Sequence, residues 1–140
     1  LFSADHTIGS ETVTLVGVVL GGPDHDTIDL AIRGLLAQAD TGFSVVTLAT
    51  EGEEFARYET EWGDEAAAVA SRTTSAVVWS GTAVTAQIAA EPVVLAEAGA
   101  PAGRVTFGVG EREVTVELRL SSTIDDPGPW WRLGNPTRLM

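Results

Sequence analysis

Two apolar, β-branched runs open the chain, Leu1 to Thr7 and Thr12 to Leu20, with Gly9-Ser10 between them. This spacing predicts a hairpin, and the second run is so evenly apolar that it reads as a central strand. It stops at Gly21-Gly22-Pro23. From Asp26 the period lengthens. Ile28, Ala31, Ile32, Leu35, Leu36 and Ala39 recur at helical spacing, with Asp24 or Asp26 available as the N-cap and Gly42 placed to end the helix.

After Gly42 the period falls to two. Phe43, Val45 and Thr47 alternate with Ser44, Val46 and Leu48, and short strands are predicted over 55–60, 75–80, 84–90, 105–109 and 113–121. In the last of these Val114, Val116, Leu118 and Leu120 point one way while Thr115, Glu117 and Arg119 point the other, the mark of a half-buried antiparallel strand. The expected fold class is α+β, mostly β. An N-terminal β-hairpin plus helix fills 1–42 and a small antiparallel β-sandwich domain fills 43–124. A tail over 125–140, with Pro127, Gly128, Pro129 and Pro136, is expected to be extended.

Composition narrows the chemistry. A chain of 140 residues can bury on the order of 68% of its unfolded surface and needs no metal or disulfide to hold a core. Eight basic residues against 20 acidic give a net charge of -12, which repels phosphate backbones and anionic lipid and argues against nucleic acid or a membrane surface as partner. The longest apolar runs, Leu15 to Leu20 and Ala66 to Ala70, are too short to span a bilayer. All eight basic residues are arginine, and cysteine is absent. Schiff-base lysines, P-loop lysines, lysine general bases, thiolate nucleophiles and cysteine zinc sites are therefore excluded within this chain.

Few residues remain for catalysis. Asp24-His25-Asp26, taken with Asp5 and His6, has the composition of a metal or acid/base cluster. Adjacent residues at a helix start point apart, however, and no Gly-x-Ser-x-Gly elbow accompanies either histidine, so capping is the better reading. The stretch from Glu51 to Glu65 holds seven acidic residues against Arg57 alone, but no calcium-loop pattern, and reads as a solvated edge hairpin. Gly108-Val109-Gly110 lacks the third glycine and the helix of a dinucleotide fingerprint.

The tryptophans say more. Trp62 precedes Gly63, and Trp130 and Trp131 adjoin in the Pro/Gly-rich tail. These three are the candidate interaction residues. A latch holding the tail to the domain is the favoured role, ahead of stacking on a sugar, with membrane contact last.

The segment from Leu1 through Val18-Val19-Leu20-Gly21-Gly22-Pro23 resembles the closing strands of the low-molecular-mass penicillin-binding proteins, the serine D-alanyl-D-alanine carboxypeptidases. Gly42-Phe43 resembles the exit from the helix that follows in that family. Thr47 to Gly63 is similar to the opening of its β-rich C-terminal domain, and Val105-Thr106-Phe107 through Leu120 to the closing hairpin. The ending Trp130-Trp131-Arg132-Leu133-x-x-Pro136 is like that of some actinobacterial members, and an arginine-only, alanine-rich composition suits a high-GC genome.

The resemblance implies a protein that trims peptidoglycan stem peptides outside the cytoplasm, secreted or held at the cell envelope. In the family a serine attacks the D-Ala-D-Ala carbonyl, a lysine takes its proton and backbone N–H groups form the oxyanion hole. Those residues lie in Ser-x-x-Lys, Ser-x-Asn and Lys-Thr-Gly motifs. A chain without lysine cannot hold the first or third, so no catalytic residue, cofactor or metal site is assigned here. Leu1 is expected to lie shortly after the Lys-Thr-Gly strand, and this chain alone is expected to be inactive. Expected partners are the N-terminal catalytic part of the same protein and peptidoglycan or an envelope protein. In isolation, a homo-oligomer through residues 1–42 is expected, because a severed sheet leaves open edges. The alternative is a free-standing extracytoplasmic binding module, with a small hydrolase using His25 ranked last.

Overall fold

The computed structural model describes residues 1–135, so the expectations attached to Pro136 fall outside the described residues. The chain forms two compact units. The first comprises Leu1–Val46 and Ser75–Thr82; the second comprises Thr47–Thr74 and the chain from Ala83.

The first unit opens with strands β1 (Phe2–Ile8) and β2 (Glu11–Gly17), paired antiparallel from Phe2↔Gly17 to Ile8↔Glu11. That register leaves Gly9 and Ser10 as a two-residue turn, with Gly9 at φ 63°, a left-handed backbone that glycine adopts without steric cost. Phe2, Ala4, His6, Ile8, Val13 and Leu15 form the half-buried face, while Ser3, Asp5, Thr7, Thr12, Thr14 and Val16 are exposed. The expected central position of the second strand is not seen within this chain. Among the described residues β2 has a strand on one side only, because the apolar look of 12–20 combines one covered row with Val16, Val18 and Leu20, which stay exposed.

Helix α1 (His25–Gly42) begins as expected, with Asp24 in extended backbone and its carboxylate accepting the Thr27 N–H at 2.8 Å. Ile28, Ile32, Leu36 and Ala39 form its half-buried stripe, while Leu30 and Leu35 are exposed. Gly42 has a different purpose from the one expected. It is the last helical residue, and the chain passes directly into β3 (Phe43–Ala49) with Phe43 extended. A Cβ at Gly42 would lie 2.3 Å from the Trp79 ring, so the glycine admits that indole rather than making a left-handed turn. Trp79 also meets Phe43 edge to face, with ring centroids 4.8 Å apart. Trp79 ends β6 (Thr74–Trp79), the partner of β3, in which Ala76, Val77 and Val78 are buried.

The second unit is built on a five-stranded antiparallel sheet in the order β4-β5-β9-β8-β7: β4 (Glu54–Glu59), β5 (Glu65–Ala70), β9 (Arg112–Leu120), β8 (Pro101–Val109) and β7 (Val84–Ala90). The alternation read for β9 is the one observed: Val116, Leu118 and Leu120 are buried, and Glu113, Thr115, Glu117 and Arg119 are exposed. Large and small residues interlock on the apolar face. Leu118 lies opposite Ala70 on one side and Gly103 on the other, and Leu120 lies opposite Ala68. Strand β5 was absent from the sequence expectation, since Ala66 to Ala70 has little intrinsic strand character; the small side chains leave room for the leucines of β9.

The extended-tail expectation for 125–140 is also corrected over its described part, 125–135. Residues Gly128–Gly134 form a short helix, α2, with Pro129 in its first turn, where a missing N–H costs nothing. Asp126 starts it by accepting the Gly128 N–H at 2.8 Å and pairing with Arg132.

Candidate functional site

The tryptophan corner of the second unit starts in the β4–β5 turn. Thr60 and Asp64 close that turn through reciprocal bonds, Thr60 N–H to the Asp64 carbonyl at 2.9 Å and Asp64 N–H to Thr60 Oγ1 at 2.8 Å. Gly63, at φ 94°, makes the reversal, and Trp62 is thereby turned back onto the domain. It packs with Tyr58, Val93 and Ala96 around the buried trio Ala66, Leu120 and Ile124. One Asp64 oxygen, Oδ2, accepts both the Trp62 indole N–H at 3.0 Å and the Asp125 backbone N–H at 3.1 Å, which ties the start of the tail to the turn.

Trp131 then meets Trp62 edge to face, centroids 5.8 Å apart. Two of the three candidate residues are thus brought together as a latch. The third is not. Successive residues of a helix diverge by roughly 100°, so with Trp131 turned inward Trp130 projects outward and is 85% exposed, together with Leu133 at 74%. Tyr58 and Asp64 organise this corner, and neither stood out in the sequence. The Tyr58 hydroxyl donates to the carbonyls of Glu91 and Ala102, at 2.8 and 3.0 Å. Burial, and then the charge of Glu91, raises the Tyr58 pKa above the ordinary phenol value.

The other candidates are dispersed. His6 pairs with Asp40, at the far end of α1 from His25, and Asp5 accepts a hydrogen bond from Thr14 at 2.7 Å. Asp24 is committed to its cap, and the Thr27 N–H holds its carboxyl below the usual carboxylate range. In the acidic hairpin a shallow cleft is lined by Glu54, Arg57, Glu65, Ala67 and Ser121. Its one cation is already neutralised, since Arg57 reaches both Glu54 oxygens at 3.2 and 3.3 Å and that carboxylate raises its pKa further. Ser121 Oγ accepts the Ala67 N–H at 2.8 Å, a structural bond rather than the arrangement of an activated nucleophile. Among the described residues no group of three or more His, Cys, Asp or Glu is placed to hold a metal. Trp130 and Leu133 are thus the exposed apolar side chains of α2, while Trp131 is held against Trp62.

No family model matches the chain, and neither does any curated protein. Solved structures do. Penicillin binding protein 5 from Haemophilus influenzae is similar over 89% of this chain, with a TM-score of 0.51 and 17% identity. The D-alanyl-D-alanine carboxypeptidase DacD from Francisella tularensis is similar over 89%, with a TM-score of 0.51 and 12% identity. The chain spans 38% and 33% of those two proteins. The N-terminal hairpin, the helix and the antiparallel sheets therefore compose a fold shared with part of these carboxypeptidase structures.

Proposed function

We propose that the chain is the non-catalytic C-terminal portion of a peptidoglycan D-alanyl-D-alanine carboxypeptidase of the actinobacterial type, working outside the cytoplasm. The observation that carries this reading is the fold likeness over 89% of the chain to two proteins of which it spans about a third. The sequence resemblance at Val18-Val19-Leu20-Gly21-Gly22-Pro23 supports it independently. So does the hairpin, whose strands have one neighbour each among the described residues and whose Val16 is exposed, as are Val18 and Leu20 just beyond it, as befits strands that continue a larger sheet. No helix among the described residues is long and apolar enough to cross a membrane.

In this reading the catalytic serine and lysine belong to the part of the protein N-terminal to the hairpin, and the second unit is a spacer or docking module. The reading is tested at the gene and at the protein. The frame upstream of Leu1 should encode Ser-x-x-Lys and Lys-Thr-Gly, and the longer product should be acylated by a labelled penicillin while this chain is not. Covalent labelling of this chain, or an upstream frame holding only a signal peptide, would overturn it. The exposure of Trp130 and Leu133 favours a second reading, a free-standing binding module; the signal-peptide outcome would select that one.

A further inference from the structure

The two edges of the five-stranded sheet are built differently. At one edge β4 carries Glu54, Arg57 and Glu59, and its register with β5 shifts between Glu54 and Ala56. Charges and a bulge are the devices that keep an edge strand from pairing with another chain. At the other edge β7 has neither. Val84-Thr85-Ala86-Gln87-Ile88-Ala89-Ala90 contains no charge and no proline, keeps an unbroken seven-pair register with β8, and is exposed at every position. No strand among the described residues pairs with its outer side.

The apolar face also runs on past its cover. Val84 and Ile88 lie opposite Val109 and Val105, which are buried at 3% and 0%, yet they themselves are 42% and 49% exposed. The core row thus continues one strand further, onto an edge with free backbone donors and acceptors.

From this asymmetry we infer that β7 pairs with β7 of a second copy of this chain, antiparallel about a two-fold axis at Gln87. Charge decides where two copies can meet. The chain is strongly acidic, so most contacts between two copies are repulsive. The acidic hairpin from Glu51 to Glu65 flanks β4, at the opposite edge. Four strand spacings, about 19 Å, separate the two edges, more than two Debye lengths of roughly 8 Å at physiological salt. Joining β7 to β7 therefore places the two acidic hairpins at the outer ends of a ten-stranded sheet. The pairing is also self-consistent: Gln87 faces Gln87, Ala86 faces Ile88 and Val84 faces Ala90, all uncharged, with the two apolar rows continuous. Seven residues a side form less than a standard interface, so the dimer is weak and concentration-dependent.

The test is a charge swap at the axis, in the full chain. Gln87 is exposed, so Gln87→Lys and Gln87→Glu both leave the fold intact. Sedimentation equilibrium should show dimers of the unsubstituted chain at high micromolar concentration. Each variant alone places like charges face to face and should associate about fivefold more weakly. An equimolar mixture of the two variants should recover or exceed the original association. An unsubstituted chain that stays monomeric, or association unchanged in both variants, would overturn the proposal. The second outcome would move the contact elsewhere, to residues 1–42 for instance.

Discussion

Leu118→Ala is the sharpest test of how the second unit is held together. The side chain is 1% exposed, and its flanking cross-strand neighbours are Ala70 and Gly103. Deleting a buried leucine removes its transfer free energy and leaves a cavity whose cost depends on whether neighbours collapse into it. Here an alanine methyl and a glycine with no side chain have nothing to move. Gly103 is further fixed: it sits at φ 119°, and even a Cβ there would lie 2.2 Å from the Ala89 carbonyl oxygen. The cost should therefore fall in the upper part of the usual range, about 4 kcal/mol. With a urea slope of about 2 kcal/mol/M, that lowers the unfolding midpoint by about 2 M. Equilibrium urea unfolding followed by tryptophan fluorescence reads this directly. Glu117→Ala, one residue away on the exposed face, should change stability by less than about 0.5 kcal/mol. A loss below about 1 kcal/mol for Leu118→Ala, or a larger loss for Glu117→Ala, would refute the register of β9.

Three further outcomes follow from single contacts. Asp24→Ala should weaken the start of α1, seen as lost helical circular dichroism on mild heating. Because the folded-state pKa of Asp24 is depressed, its contribution is present at neutral pH and is lost as the pH falls through the carboxylate range, so the difference from Asp24→Ala should vanish in acid. Asp64→Ala removes the acceptor shared by the Trp62 indole and the Asp125 N–H, and should red-shift tryptophan emission while costing about 2 kcal/mol. Tyr58→Phe should cost about 1 kcal/mol, and spectrophotometric titration should place the Tyr58 phenol above the ordinary value, with the variant losing that transition.

What was legible in the sequence was whatever one strand or one helix decides alone. Val114, Val116, Leu118 and Leu120 declare a covered face by alternation, and Asp24 declares a cap by its place before an apolar stripe, because both effects act within a few residues. Strand β5 was hidden because its reason lies in its neighbours: Ala68 and Ala70 are strand residues only because Leu120 and Leu118 stand beside them. Gly42 was correctly placed at the end of α1 and wrongly explained, since the indole it admits comes from Trp79, 37 positions later. The tryptophan corner shows the same division. Composition singled out Trp62, Trp130 and Trp131, but only the turn at Gly63 and the first turn of α2 decide that two of them meet and the third does not.

That division bears on where function lies. Several polar groups of the second unit are engaged in holding it together: Asp64 on two N–H groups, Arg57 on Glu54, Ser121 on Ala67, and Tyr58 on two carbonyls. Facing outward among the described residues are a neutral strand edge at β7 and the exposed indole of Trp130. Both are exposed surfaces, and they differ in what they offer a partner. The two surfaces also make separable demands. An exposed indole beside Leu133 offers apolar area on a helix of one to two turns, whereas the β7 edge offers backbone hydrogen bonds that an extended strand alone can satisfy. Trp130→Ala should therefore leave self-association through β7 unchanged in sedimentation equilibrium. If it abolished association instead, α2 rather than the sheet edge would be where two copies meet.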